Sequence, residues 1–166
     1  MMSQWTEFQR SVAAMDDSSS PRDIFNTILT WLNRHSEILS SAPFSAYSFD
    51  RFLSLQADDY PVDISTMRDL EFTRFRQVVE RYGVKDPERI ARHLRDTLEV
   101  LVILSVDKQC PNCGLWELGV FKNIQDGRIA FECRQCGIAR YIDGTRVAAR
   151  ELTFASNSDL QDAGFI

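Results

Sequence analysis

From Ser3 to Met15 the apolar residues Trp5, Phe8, Val12 and Met15 fall at steps of three, four and three, which places them on one face of a helix. Asp16 to Ser20 breaks the pattern, and Ser20-Pro21-Arg22-Asp23 then reads as a helix start: a hydroxyl cap, proline in the first turn and a carboxylate near the positive end of the dipole. The helix so opened is expected to run to about Leu39, with Ile24, Ile28, Trp31, Leu32 and Leu39 inward. His35 lies at the edge of that stripe, where a packed or solvated helix residue is the plain reading and a ligand or base the sharper one. After Ser40 to Pro43 the aromatic stretch 44–55 is ambiguous in period. A short helix from Ser48 to Gln56 burying Phe49, Phe52 and Leu53 fits best, with Phe44 and Tyr47 either in the core or forming a stacking surface. Residues 57–63 read as an acidic loop.

Ser65 opens the next predicted helix, in which Leu70, Phe75, Val78, Val79 and Tyr82 lead to Gly83 as a C-terminal cap. Asp86-Pro87-Glu88 repeats the start signal, and the helix beyond it carries Ile90, Leu94, Leu98 and Leu101 inward. Arg89, Arg92 and Arg95 recur on another face among Glu88, Asp96 and Glu99, the pattern of a salt-bridged solvent face or, alternatively, of a row that meets phosphate. Residues 100–106 are apolar on every side and fit either the end of this helix or a strand.

The period then shortens to two. Trp116, Leu118 and Val120 alternate with Glu117, Gly119 and Phe121, and Asp126-Gly127 marks a reversal before Ile129 and Phe131. Residues 138–142, Asp143-Gly144 and residues 145–153 repeat strand, turn and strand, so a sheet of three or four strands is expected. Residues 155–166 show little pattern and read as a tail. The predicted fold class is α+β: an N-terminal α-helical domain over 1–105, a small antiparallel β ribbon over 106–154, and a C-terminal tail.

Chemistry concentrates at Cys110-Pro-Asn-Cys113-Gly and Cys133-Arg-Gln-Cys136-Gly, which use every cysteine of the chain. Two Cys-x-x-Cys turns, each followed by a glycine, supply four thiolates in a tetrahedron, the ligand set of one structural Zn2+. Two disulfides are the alternative, disfavoured in a chain with no export signal. The stretch from about 108 to 153 resembles the zinc-ribbon superfamily, which implies a β-hairpin scaffold and Cys110, Cys113, Cys133 and Cys136 as metal ligands.

The net charge is −5, distributed unevenly. Residues 1–73 carry eleven acidic and five basic side chains, whereas residues 108–150 carry seven basic and four acidic. The first residues show neither a basic end nor an apolar run, and no stretch approaches a membrane span, so a soluble cytoplasmic protein without membrane partners is expected. Neither histidine stands in a catalytic motif, there is no Gly-rich phosphate loop, and four thiolates close a metal's shell; no enzyme activity is expected. Two readings remain. One is an interaction protein whose acidic Asp58, Asp59 and Asp63 attract a basic protein partner; in size, charge and lack of catalytic groups it resembles the immunity proteins that mask bacterial nuclease toxins. The other is a nucleic-acid- or polymerase-binding regulator, with Lys122, Arg128, Arg134 and Arg140 on phosphates and Phe121 or Tyr141 stacking on bases.

Overall fold

A computed structural model describes residues 2–16, 18–67, 69–82, 85–116 and 118–166. The chain is α+β, helices first and an antiparallel sheet after them, and it divides into two compact units. The first comprises 1–57 and 62–101; the second comprises 58–61 and 102–166.

The helical unit is built from α1 (Met2–Ala13), α2 (Pro21–Arg34), α3 (Asp69–Tyr82) and α4 (Pro87–Val102), whose last residue falls across the division between the units. Trp5, Phe8, Val12 and Met15 are all buried, and Trp5, Phe8 and Trp31 pack ring on ring at 5.0–5.8 Å between centroids. Ser20 caps α2 as its spacing suggests: its hydroxyl accepts from the Asp23 amide while the Asp23 carboxylate accepts from the Ser20 amide. The helix stops at Arg34, short of the expected Leu39, and a 3-10 turn over Ser36–Ser40 rotates Ile38 inward while Leu39 is only half-buried. His35 caps the C-terminus of α2, packs against Trp31, and places Nε2 3.2 Å from Glu7 and Nδ1 3.7 Å from Glu37, which is the packed role.

The predicted helix over 48–56 does not form. Ser48 adopts a left-handed conformation, φ +49°, which interrupts propagation between the 3-10 turns Phe44–Tyr47 and Phe49–Arg51. Phe44, Phe49 and Phe52 are buried in the core, whereas Leu53 and Tyr47 are only half-buried, with the Tyr47 hydroxyl against Glu88. The acidic loop is also more ordered than expected, with 3-10 turns at Ala57–Asp59 and Pro61–Ile64. Helix α3 begins at Asp69, not Ser65, leaving Leu70 in its first turn exposed while Phe72, Phe75 and Val79 form its buried face. Gly83, the expected cap of this helix, lies outside the described residues. In α4, Ile90, Leu94, Leu98 and Leu101 are buried as predicted, and Asp86 Oδ1 accepts from the Arg89 amide at the start.

The second unit is a six-stranded antiparallel sheet, β1 (Ser105–Val106), β2 (Leu118–Asn123), β3 (Ile129–Cys133), β4 (Ala139–Tyr141), β5 (Arg146–Val147) and β6 (Leu152–Phe154). The order is β1-β2-β3-β4-β5, and β6 pairs with the far half of β2 (Phe121↔Phe154), so β1 and β6 share one edge of that strand. Residues 100–106 thus contribute both a helix end and a strand. The expected three or four strands become six because the extra ones, β1, β5 and β6, are two or three residues long and carry no readable period.

Strand β2 is buried on both faces. Leu118 and Val120 face a core with Phe131, Cys110, Cys133, Ala155 and Leu160, and Phe121 and Asn123 are buried too. Gly119 permits this: a Cβ there would come within 2.7 Å of Ile103 Cγ2. Trp116, expected within the strand alternation, is 58% exposed, and the described strand β2 starts at Leu118. Residues 155–166 are not a tail. Ser156 and Asp159 form a second capping box at the start of α5 (Asn157–Asp162), Leu160 is fully buried, and Phe165 meets Phe131 edge-on. Asn157 Nδ2 donates to the carbonyls of Asp58 and Tyr60, tying residues 58–61 into this unit.

Candidate metal centre

Each knuckle is made by the same pair of backbone bonds. The Gly114 amide donates to the Cys110 carbonyl (2.8 Å) and the Cys110 amide to Leu115; the Gly137 amide donates to the Cys133 carbonyl (2.8 Å) and the Cys133 amide to Ile138. Closing so tight a turn requires positive φ at the residue after the second cysteine, +76° at Gly114 and +67° at Gly137, which is why glycine follows both motifs. The second knuckle continues β3, since Cys133 is its last residue and pairs with Leu118 at the start of β2. The first precedes β2, so the hairpin carries both turns to one end of the sheet.

The four Sγ atoms lie within 4.8 Å of one another. The Cys110–Cys136 and Cys113–Cys133 separations are 3.7 and 3.6 Å, far beyond a covalent S–S bond of about 2.05 Å, and all four cysteines are free. A tetrahedral shell with metal–sulfur bonds of about 2.3 Å has S···S edges of about 3.8 Å, so the observed spacing fits a single ion with four thiolate ligands. Cys110 and Cys133 are buried and Cys113 is exposed, so the cluster sits at the margin of the unit's core. Backbone amides of Cys113 and Asn112 favour the Cys110 thiolate and hold its pKa down to about 6. Cys113 goes the other way: although the Leu115 amide favours its thiolate, burial and the three neighbouring sulfurs push it up to about 12. Four sulfurs this close do not ionise together without a cation among them, and a bound cation reverses that balance.

The other predicted site residues are not brought together in this way. Asp58 and Asp59 belong to the second unit and Asp63 to the first, where Arg22 pairs with it at 2.5 Å and holds its carboxyl below the usual range. Of the ribbon cations, Lys122 pairs with Asp159 (2.7 Å), Arg128 pairs with Asp143 (2.7 Å) and lies over the Tyr141 ring, and Arg140 donates to the Gly144 carbonyl. Arg134 is also engaged within the molecule. Phe121 is buried against Phe154, which removes it as a stacking platform. Tyr141 is tied into a network at the hairpin tip, accepting from Asn123 Nδ2 (2.7 Å) and donating to Asp126 (3.0 Å). On α4, Arg89, Arg92 and Arg95 pair with Asp86, Glu88 and Glu99, the solvent-face arrangement.

The sequence reading placed Trp116 in a strand and gave neither it nor Leu115 a site role; they are 58% and 46% exposed on the segment leaving the first knuckle. Their signal was positional: they lie between the glycine that ends the knuckle and the first paired residue of β2.

Fold and site together define an α+β protein whose sheet unit holds four cysteines positioned for one metal ion. Comparison with protein-family models, with curated proteins and with solved structures finds no match to this chain. Among the described residues, no helix is long and apolar enough to cross a membrane.

Proposed function

We propose that this is a non-catalytic zinc-binding interaction protein in which one Zn2+ on Cys110, Cys113, Cys133 and Cys136 holds a ribbon that docks on another protein. The observation that carries the reading is the exposure of Leu115 and Trp116 beside a knuckle that fixes their backbone. Aromatic side chains on a rigid turn make interface anchors, because little conformational entropy is lost when they are covered. Zinc suits the site because an all-sulfur tetrahedral set favours it, and four protein ligands leave no position for water or substrate, which supports a structural role and no turnover.

Charge supports a basic partner. The first unit carries 14 acidic and 12 basic side chains, and the second 10 acidic and 7 basic, so each is net negative. The positive balance of residues 108–150 is cancelled by Asp58, Asp59, Glu151, Asp159 and Asp162, which belong to the same unit. A partner resembling a nuclease toxin, masked by an acidic cytoplasmic protein, fits this distribution, with Asp58, Asp59 and Asp63 contributing attraction. The nucleic-acid reading is supported less well because both units are net negative; engagement within the molecule does not separate the two readings, since it holds for Lys122, Arg128, Arg134 and Arg140 and equally for Asp58 and Asp63.

The test is capture from the native host with metal-loaded protein, with and without nuclease treatment. A protein should be retained after nuclease digestion and lost from the Leu115→Ser/Trp116→Ser variant, while Asp58→Asn/Asp59→Asn/Asp63→Asn should slow its association at low salt. Capture that vanishes with nuclease, or that depends on Arg128 and Arg134 and not on Trp116, would replace this reading with the nucleic-acid one.

A further inference from the structure

A cavity of about 650 Å³ lies between α3 and α4, within the range of small-molecule sites and inside the helical unit. Two features distinguish it from a simple packing gap. Among the described residues its walls carry the charged side chains Arg74, Arg81, Arg89 and Arg92 with Glu71 and Asp96. Among the described residues, neither Arg74 nor Arg81 has an ion-pair partner, whereas Arg89 and Arg92 pair with Asp86 and Glu88.

The second feature is apolar and aromatic wall area. Val78, Val100 and the Tyr82 and His93 rings line the space, with His93 stacked on Phe75 (5.4 Å, 27°) and the Arg89 guanidinium 4.2 Å from the Tyr82 ring centre. His93 Nε2 is shielded from solvent and has no hydrogen-bond partner, so it is the ring face and not this atom that the groove can use. Burial, with a smaller contribution from Arg74 and a partial offset from the Phe75 backbone, pushes the His93 pKa down to about 4. The ring is therefore neutral at pH 7 and adds no charge to the groove.

Cations are disfavoured by the arginines, and a purely apolar occupant would leave their charge without a partner. We propose that the groove between α3 and α4 binds a small organic anion, its aromatic or acyl body against Val78, Tyr82, His93 and Val100 and its carboxylate, sulfonate or phosphate on Arg74 and Arg81. The guanidinium fork suits any of these planar or tetrahedral oxyanions. The site is independent of the ribbon and of the partner reading above.

The probe is 8-anilinonaphthalene-1-sulfonate, an aromatic body with one anionic group, titrated by fluorescence into the full-length, metal-loaded chain. Saturation at about one site per chain is expected. Arg74→Gln/Arg81→Gln should weaken it about tenfold, corresponding to about 1.4 kcal/mol. Val78→Trp, which fills the cavity, should abolish it, and Arg10→Gln on the exposed face of α1 should leave it unchanged. Circular dichroism checks that each variant is folded; if Val78→Trp is not, the arginine pair decides alone. Absence of saturable binding, unaltered binding by Arg74→Gln/Arg81→Gln, or equal weakening by Arg10→Gln would each overturn the proposal. Loss on filling the cavity without any effect of the arginines would leave an apolar hole and overturn the anion assignment.

Discussion

At the scale of single residues, position on a helix explains more than residue type. His35 and His93 are both helix-associated histidines, yet His35 ends its helix between two glutamates while His93 is half-buried on the flank of the Ile90–Leu94 stripe. That flank was readable from the 3.6-residue period; the missing partner of Nε2 was not, because it depends on how α3 and α4 face each other. The consequence is a pH dependence with a definite sign. The folded pKa, about 4, lies below the value of 6.5 for a solvated imidazole, so at pH 7 both states are neutral and protonation contributes almost nothing to stability. Between about pH 6.5 and 4 the unfolded chain takes a proton that the folded one refuses, and stability falls as pH falls, by about 2 kcal/mol at pH 5. Urea unfolding of the helical unit, followed by circular dichroism at pH 7 and pH 5, should show this loss in the parent and a smaller one in His93→Phe, which keeps the ring stack on Phe75 without the titration. An equal pH dependence in both proteins would mean that His93 is already solvated.

At the scale of elements, legibility followed the strength of the local signal. Helices with a cap, a proline and a long apolar stripe, α2 and α4, begin where the pattern puts them, although α2 ends five residues early, and both knuckles are legible because each takes its geometry from five consecutive residues. Elements held by distant partners were not legible. Strands β1 and β6 exist because β2 offers one edge to both, which no window of sequence around residue 105 or 153 reveals. Segment 44–56 is stopped by one left-handed serine, a conformation that serine composition does not announce. For α5 a signal was present: Ser156 and Asp159 have the same spacing as Ser20 and Asp23, followed by Leu160 and, later, Gly164 at φ +75°. The helix is short, so its stability derives from Leu160 and from Lys122, which pairs with Asp159 at 2.7 Å. Leu160→Ala should therefore destabilise the sheet unit by roughly 2–5 kcal/mol and Ser156→Ala by roughly 0.5–2 kcal/mol. Both are measurable as faster amide exchange along β2 and β6, and a true tail would show neither effect.

At the scale of the whole molecule, the two units differ in what holds them. The helical unit buries large side chains drawn from all four helices, among them Phe8, Phe25, Ile28, Phe75 and Leu94. Among the described residues, one core cluster of the sheet unit has seven buried residues, and two of them, Cys110 and Cys133, belong to the candidate metal site. Structural zinc sites contribute on the order of 10–16 kcal/mol, comparable to or above the ~5–15 kcal/mol that separates a folded domain from its unfolded chain. Without its cation the cluster also confronts four sulfurs at 3.6–4.8 Å, of which Cys110 ionises readily and Cys113 resists. Chelation at pH 7 is therefore expected to remove amide-exchange protection from residues 118–154 and, through Leu160, from α5, while α1, α2 and α4 keep most of theirs and most of the helical dichroism persists. Cys133→Ser should reproduce the same selective loss, because Cys133 is both a candidate ligand and the β3 residue that pairs with Leu118. Collapse of the helical signal on chelation would show that the helical unit depends on the ribbon for its fold, and full retention of protection along β2 and β3 would show that the metal is not structural.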